Sequence, residues 1–190
     1  MNDENPYIST YSGLKFHILG DDPAEINIHD IAHATSMQCR YTGHTVRHYS
    51  VAMHQIYVSN VVRLLGGTRL QQFDGLMHDA AEAYMSDIAK PWKSLMPEYE
   101  ALEARVDKRI RMKYGLPEAH DPLVKQADTI ALFAEAVELF REPKIDEWPN
   151  VEVYHDWMQM KRDKLPLTIA SESYAEYTFA EFYNRLRTRR

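Results

Sequence analysis

The sequence predicts an all-α fold, a compact helical bundle, and three observations lead to this prediction. Apolar residues recur at spacings of three and four along most of the chain, which is the period of an amphipathic helix. Several of these stretches begin at a capping residue or a proline and end at a glycine. With 190 residues, 45% of them hydrophobic, the chain is long enough to bury a substantial core, so we expect residues 1–190 to form a single domain.

The first part of the chain contains clear signals for where helices start and stop. Asn27 is a helix N-cap, and Gly66-Gly67 ends a helical pattern. A short apolar alternation near Phe16 suggests extended structure before the first helix. The predicted elements, in order, are an ordered arm or small hairpin over residues 1–26, a helix over 28–38, a loop over 40–44 and a helix over 50–65.

The rest of the chain is divided mainly by prolines. Pro91 stops one helical pattern, and Ser173 with Glu176 three residues later forms a capping box. Residues 142–170 contain three prolines, which is typical of irregular structure. The predicted elements, in order, are a helix over 70–86, a helix from Pro97 to Gly115, a helix opening at Asp121-Pro122 and running through Val137, an irregular linker or lid over 142–170 and a last helix.

Composition excludes several classes of function. The net charge of −6 argues against nucleic acid as a partner. No apolar run is long enough to span a membrane, and no N-terminal signal peptide is recognisable. The single cysteine, Cys39, excludes an internal disulfide and suits a reducing compartment, so we expect a cytoplasmic protein.

Four His-Asp doublets occur in the chain, and their contexts differ. His29-Asp30 falls in the first turn of a helix, where an acidic residue complements the dipole. Asp121 is a helix N-cap before Pro122, and His155-Asp156 lies in the stretch predicted to be irregular. Only His78-Asp79 is embedded in a helical apolar pattern. Burying such ionisable groups without partners is costly, so this doublet indicates a metal site.

Two further side chains complete a plausible ligand set with this doublet. His54 lies in the second helix, and Asp128 is a lone carboxylate in an otherwise apolar helical run. His54, His78, Asp79 and Asp128 together offer two nitrogens and two oxygens to a divalent metal and leave positions open for substrate. Two alternatives stay open: Asp128 pairs with Lys125 at the surface, or His44 and His48 form a rival ligand pair.

Other polar residues near the doublet suit phosphate chemistry. Glu82, one turn after Asp79, is positioned to handle a proton as general acid or base. Asp87 could orient a sugar hydroxyl or a water. The candidate substrate contacts are Arg40, Lys90 and Lys93 for phosphate, Tyr41 for a sugar or base, and His44.

These residues resemble the HD-domain phosphohydrolase superfamily, whose metal pattern is His, then His-Asp, then a distant Asp. Arg40-Tyr41, Glu82, Asp87 and the Pro91-x-Lys93 segment are similar to the 5′-deoxynucleotidase branch. The segments 39–44 and 49–52 and Gly115-Leu-Pro117 are similar to phage-type deoxynucleoside triphosphohydrolases, some of them specific for dATP.

The resemblance implies metal-assisted hydrolysis of a nucleotide by a homo-oligomer that uses Mn, Co, Zn, Mg or Fe. A dATP-type triphosphohydrolase, which releases deoxynucleoside and tripolyphosphate, is favoured. A 5′-deoxynucleotidase acting on dNMPs is the alternative enzyme, and a catalytically silent nucleotide-binding protein is the alternative outside enzymes. The deoxynucleotidase branch has a Trp after the arginine, where this chain has Tyr41.

Overall fold

A small hairpin and a succession of helices make up the protein in the computed structural model, which describes residues 6–161 and 165–187. The predicted all-α class is confirmed, since the described strands form only the two-stranded hairpin. Strands β1 (Tyr7–Ser9) and β2 (Lys15–His17) pair antiparallel within the predicted arm. Residues 1–5 of that arm and 162–164 of the predicted linker lie outside the described residues.

Several helix ends lie at the capping residues that the sequence indicated. Asn27 accepts a hydrogen bond from the His29 amide, Asp121 accepts one from the Leu123 amide, and Gly115 ends a helix with left-handed backbone angles. The helices in chain order are α1 (Ile28–Met37), α2 (Val51–Leu64), α3 (Arg69–Met77), α4 (Glu82–Met85), α5 (Lys90–Lys93), α6 (Pro97–Tyr114), α7 (Pro122–Leu139), α8 (Val151–Lys161) and α9 (Glu172–Arg187).

The single helix predicted over residues 70–86 is wrong, because the chain leaves the α-helical path after Met77. The imidazole Nδ1 of His78 donates to the carbonyl of Gly75 at 2.9 Å. In a continuous helix that carbonyl would accept from the Asp79 amide. The next backbone bonds, including Ala80 to Met77 and Glu82 to Asp79, reach back only three residues. The doublet therefore lies in a tight turn between α3 and α4.

Two further predictions in the C-terminal part are wrong. The stretch 142–170 is not irregular throughout, because it contains α8. The three prolines of this stretch lie outside the helix, and His155-Asp156 is helical. The last helix starts at Glu172, and the Ser171 hydroxyl, not that of Ser173, accepts from the Tyr174 amide. Glu176 does not close a capping box; its carboxylate accepts from His33.

The core consists of two clusters of apolar side chains on either side of α2. One cluster includes Met53 of α2 with Phe73 of α3 and Phe179 of α9. The other includes Val61 of α2 with Ile130 of α7 and side chains of α8. Because α2 contributes to both, polar groups on α2 that face α3 and α7 lie at the seam between the clusters. No described helix combines the length and apolar character that crossing a bilayer requires.

Candidate metal centre

The predicted ligands converge on one point at this seam. His54 comes from α2, His78 and Asp79 from the turn after α3, and Asp128 from α7. The Nε2 atom of His54 lies 3.2 Å from Nε2 of His78, 3.2 Å from Oδ1 of Asp128 and 3.4 Å from Oδ2 of Asp79. Nε2 of His78 lies 3.2 Å from Oδ2 of Asp79 and 3.8 Å from Oδ1 of Asp128. Asp128 therefore faces the imidazoles and not Lys125.

The hydrogen bonds of the two imidazoles involve their Nδ1 atoms, so the Nε2 lone pairs are free to point at the centre. Nδ1 of His78 faces a backbone carbonyl, which only accepts, so this nitrogen carries the proton. Nδ1 of His54 lies 2.6 Å from Oε1 of Glu135, a carboxylate, and carries a proton for the same reason. In the neutral imidazoles, both Nε2 lone pairs then face two carboxylates. Four electron-rich atoms at such distances form a set that could hold a cation.

The spacing of these atoms suits a first-row divalent metal. Ligands about 2.1 Å from an ion are about 3.4 Å apart in a tetrahedron and about 3.0 Å apart at adjacent octahedral positions. The ligand atoms of His54, His78 and Asp128 all lie within 4.8 Å of one another, so these three residues form a cluster that could hold a metal ion. Asp79 adds an oxygen next to both imidazoles.

The electrostatics of the centre favour positive charge. Burial alone would lower the pKa of His78, but Asp79 and Asp128 raise it to about 10. Burial and the nearby Arg40 guanidinium would lower the pKa of His54, yet the surrounding carboxylates raise it well above its ordinary value. Without a metal, the carboxylates therefore favour a second proton on each imidazole, at its Nε2 atom. The two Nε2 atoms lie 3.2 Å apart, so these protons would repel each other.

Glu82 and Asp87, the predicted catalytic pair, lie beside the centre. Burial raises the pKa of Glu82, and the negative charges of Asp79 and Asp87 raise it further. Oε2 of Glu82 is buried and has no hydrogen-bond partner within the described structure. Burial likewise raises the pKa of Asp87. Gln38 fixes this segment, since its amide donates to the Glu82 carbonyl at 2.9 Å and accepts from the Asp87 amide at 2.9 Å.

The candidate phosphate contacts fall into two groups. Arg40 is buried, with Nη1 3.6 Å from Oδ2 of Asp79. Nζ of Lys93 lies 2.5 Å from Oε1 of Glu103 and 3.8 Å from Oε1 of Glu82. Arg40 and Lys93 are thus next to the centre.

Lys90 and His44 are exposed, and neither is among the residues that line the cavity next to the centre. His48 lies 3.7 Å from Glu172. In the part of the chain that the structure describes, no group of three possible ligands includes His44 or His48, so that rival pair is not formed at a metal site.

Glu135 is the residue of the centre that the sequence analysis missed. Its side chain is fully buried on α7, and besides His54 it binds Arg40 Nε at 3.1 Å and the Tyr41 hydroxyl at 2.7 Å. Tyr41 also packs edge-on against Phe140, with ring centroids 5.0 Å apart. The signal was available, because Glu135 interrupts an apolar helical run just as Asp128 does.

A cavity of about 340 Å³ opens next to the centre. This volume is in the range of small-molecule sites. Its lining includes His78 and Asp79, and also Asp107 and His120, a doublet residue that sequence context had left without a site role. The other lining residues are Ala81, Glu82, Lys93, Glu100, Glu103 and Ala104.

Comparison with known proteins places the chain among relatives of similar length. No family model matches it. The chain is 40% identical over 149 residues to the uncharacterized protein YfdR of Escherichia coli (strain K12), a match that covers 77% of this chain and 79% of YfdR. It is 30% identical over 146 residues to the uncharacterized protein RCAP_rcc00048 of Rhodobacter capsulatus, which covers 71% and 74% of the two chains. The protein belongs to the family that includes YfdR.

Proposed function

We propose that the protein is a divalent-metal-dependent phosphohydrolase of the HD-domain type that acts on 2′-deoxynucleotides. The observation that carries the proposal is the convergence of two imidazole lone pairs and two carboxylates next to a cavity. A structural metal site would be closed by protein ligands, whereas this centre borders open space. The resemblance of the same residues to the HD pattern supplies the reaction class.

The residues that would hold the metal are His54, His78, Asp79 and Asp128. A divalent ion bound there supplies Lewis-acid activation of a phosphoryl oxygen and of a water nucleophile. Its identity is open among Mn, Co, Zn, Mg and Fe, because a mixed nitrogen and oxygen set accepts each of them.

Glu82 is the proposed proton carrier. Burial and the nearby carboxylates raise its pKa, which favours the protonated carboxyl group, and its position on the cavity wall gives it access to the leaving oxygen or to the attacking water. The Lys93 ammonium group, 3.8 Å from Oε1, stabilises the ionised form of Glu82. The carboxyl group is therefore able both to donate and to accept a proton. Asp87 is proposed to orient the sugar or water from the same segment.

Arg40 and Lys93 are the proposed phosphate contacts. Nη1 of Arg40 approaches the centre beside Asp79, and Nζ of Lys93 projects into the cavity from α5. A phosphate between them would gain charge-assisted hydrogen bonds from a guanidinium and an ammonium group. Lys90 and His44, which lie outside the cavity, are left without a proposed role.

The charge of the cavity bears on the number of phosphates in the substrate. Besides the two proposed ligands His78 and Asp79, the cavity is lined by the carboxylates of Glu100, Glu103 and Asp107 and by the basic side chains of Lys93 and His120. Extra phosphates of a triphosphate would meet these carboxylates and would need an accompanying cation, whereas a single phosphate would not. Among deoxynucleotides, this charge distribution favours monophosphates over the dATP-type triphosphate that the resemblance puts first.

Product analysis separates the candidate substrates. Protein loaded in turn with each candidate metal is incubated with dAMP, dATP, AMP and ATP, and the products are resolved by ion-exchange chromatography. Orthophosphate from dAMP indicates a 5′-deoxynucleotidase; tripolyphosphate from dATP indicates a triphosphohydrolase. Binding without turnover under every metal would instead indicate a catalytically silent nucleotide-binding protein and refute the enzyme proposal.

A pair of aspartate variants tests the ligand assignment. Asp128→Ala is expected to abolish turnover while the far-ultraviolet circular dichroism stays unchanged, because alanine favours helix at this half-buried position on α7. Asp156→Ala removes an exposed aspartate from another His-Asp doublet and is the matched control, with full activity expected. Activity retained by Asp128→Ala would remove Asp128 from the ligand set.

We also propose a cytoplasmic homo-oligomer. The single cysteine supports a reducing compartment, and the resemblance to HD-domain enzymes supports self-association. Light scattering after size-exclusion chromatography tests the oligomer, and a monomer mass at working concentration would refute it.

A further inference from the structure

We infer that Glu135 is a positioning residue that orients the ring of His54, with the proton on Nδ1, and couples the metal centre to the Arg40-Tyr41 segment. The inference rests on the metal-binding part of the proposed function, and it concerns a side chain that the HD-like pattern quoted above does not include. Three polar groups of the candidate site end on this one carboxylate.

The position of Glu135 follows from the helix that carries Asp128. Glu135 comes seven residues after Asp128 on α7, about two helical turns, so both carboxylates lie on the face of α7 toward α2. Asp128 faces Nε2 of His54, while Glu135 is fully buried and faces Nδ1 on the other side of the same ring. One face of one helix therefore supplies both a ligand and the support of another ligand.

The hydrogen bonds of Glu135 account for both of its oxygens. Oε1 accepts from Nδ1 of His54 at 2.6 Å. Oε2 accepts from Nε of Arg40 at 3.1 Å and from the Tyr41 hydroxyl at 2.7 Å. With its proton held at Nδ1, His54 directs the Nε2 lone pair at the metal position, which is the usual arrangement of a carboxylate behind a ligating imidazole.

The same carboxylate holds a strained segment in place. Tyr41 and Thr42 have φ angles of 57° and 54°, in the left-handed region that non-glycine residues seldom occupy. Such backbone persists when surrounding contacts fix it. The bond from the Tyr41 hydroxyl is one of these contacts, and Arg40, which precedes the strained residues, reaches Asp79 from there. Glu135 thus links the phosphate contact to the metal ligand.

Glutamine at this position could not replace the carboxylate. An amide has one accepting oxygen and one donating nitrogen, whereas the three neighbours here are all donors. If the amide oxygen faces His54, its nitrogen faces Nε of Arg40, which only donates, so the bond to Arg40 is lost. If the amide is reversed, its nitrogen faces Nδ1 of His54 and favours the tautomer with the proton on Nε2, where it blocks the metal. Glu135→Gln is therefore a sharp test at nearly constant volume.

The expected result is a weaker affinity for Zn²⁺. Competition with a chromophoric chelator should show a dissociation constant raised about 10- to 100-fold in Glu135→Gln, the range observed when the partner of a metal-ligating imidazole is lost. Glu138→Gln changes an exposed glutamate on the same helix and should leave the affinity unchanged. Tyr41→Phe keeps the bond to His54 and should change Zn²⁺ affinity less than threefold.

A measurement on the unsubstituted protein covers the case in which Glu135→Gln does not fold. Long-range ¹H–¹⁵N spectra of the Zn²⁺-loaded chain should show Nδ1 of His54 protonated and hydrogen-bonded. A proton on Nε2, or wild-type Zn²⁺ affinity in folded Glu135→Gln, would overturn the inference and leave the metal site standing. If the unsubstituted chain binds no metal, the metal-site proposal fails first, and the inference fails with it.

Discussion

The buried ion pair between Asp74 and Arg111 gives the most direct test of how this fold is held together. The side chains of Asp74 on α3 and Arg111 on α6 are 2% and 1% exposed. Oδ1 of Asp74 accepts from Nη1 of Arg111 at 2.8 Å, and Oδ2 accepts from the Asp121 amide at 3.2 Å. One carboxylate therefore joins α3 to α6 and to the start of α7. We predict that Asp74→Asn strongly destabilises the protein.

The size of the effect follows from burial and from charge. Burial would raise the pKa of Asp74, but hydrogen bonds from His120 and Arg111 lower it from its ordinary value of 3.8 to about 2. A shift of this size corresponds to about 2 kcal/mol of preference for the ionised form. Asparagine also leaves the buried guanidinium without a counter-charge, and breaking such pairs costs about 3–5 kcal/mol. We expect a loss of at least 3 kcal/mol near pH 7.

Urea unfolding followed by circular dichroism measures this loss. Because the pKa of Asp74 is lower in the folded chain, its contribution is present above pH 4 and is lost as the pH falls toward about 2. The difference between the two proteins should therefore shrink in acid. Glu118→Gln, which breaks the exposed Lys108–Glu118 pair of 2.6 Å, is the control and should leave the free energy of unfolding unchanged. A loss below 1 kcal/mol for Asp74→Asn would refute the reasoning.

Three further predictions concern the centre and the end of α2. Zn²⁺ at about 100 times its dissociation constant should stabilise the chain by about 2.7 kcal/mol, which raises Tm by about 5–10 °C in scanning fluorimetry; Asp128→Ala should lose most of this rise. Glu82→Gln should lower kcat on the preferred nucleotide by about 10²–10⁴ while chelator competition shows unchanged Zn²⁺ affinity. Gly67→Ala should cost about 1–3 kcal/mol in urea unfolding, because a Cβ there would lie 2.5 Å from Cγ1 of Val62 and 2.8 Å from its carbonyl oxygen.

The fold class and most helix boundaries were predictable, because they depend on local signals. The N-caps Asn27 and Asp121 and the left-handed Gly115 act within a few residues of themselves. The break after Met77 was not predictable, since Ala80 and Ala81 favour helix. Its cause is the side chain of His78, which takes the carbonyl of Gly75.

Helix α8 was missed because prolines were counted over a long window. Val151, Tyr154 and Trp157 have helical spacing, and Pro149 precedes the helix without interrupting it. A window limited to the residues between the prolines would have found this pattern.

The contents of the centre were predictable to the extent that polar residues interrupt apolar helices. Asp128 was found in this way, and Glu135 satisfies the same criterion. What no local pattern indicates is the pairing across the fold. His120 reaches the cavity wall because Asp74, 46 positions earlier in the chain, and Asp107 fix its ring. Such contacts depend on how α3, α6 and α7 pack.

The position of the centre between the two core clusters has a consequence for how the chain opens. The proposed metal ligands come from α2, from the turn after α3 and from α7. An ion bound by them would connect the half of the core around Phe73 and Phe179 to the half around Ile130. If the site holds an ion as proposed, its loss would remove a cross-link at this boundary while leaving both halves packed, so local opening would start there. Occupancy of the metal site would then control whether the two halves of the core open together or separately.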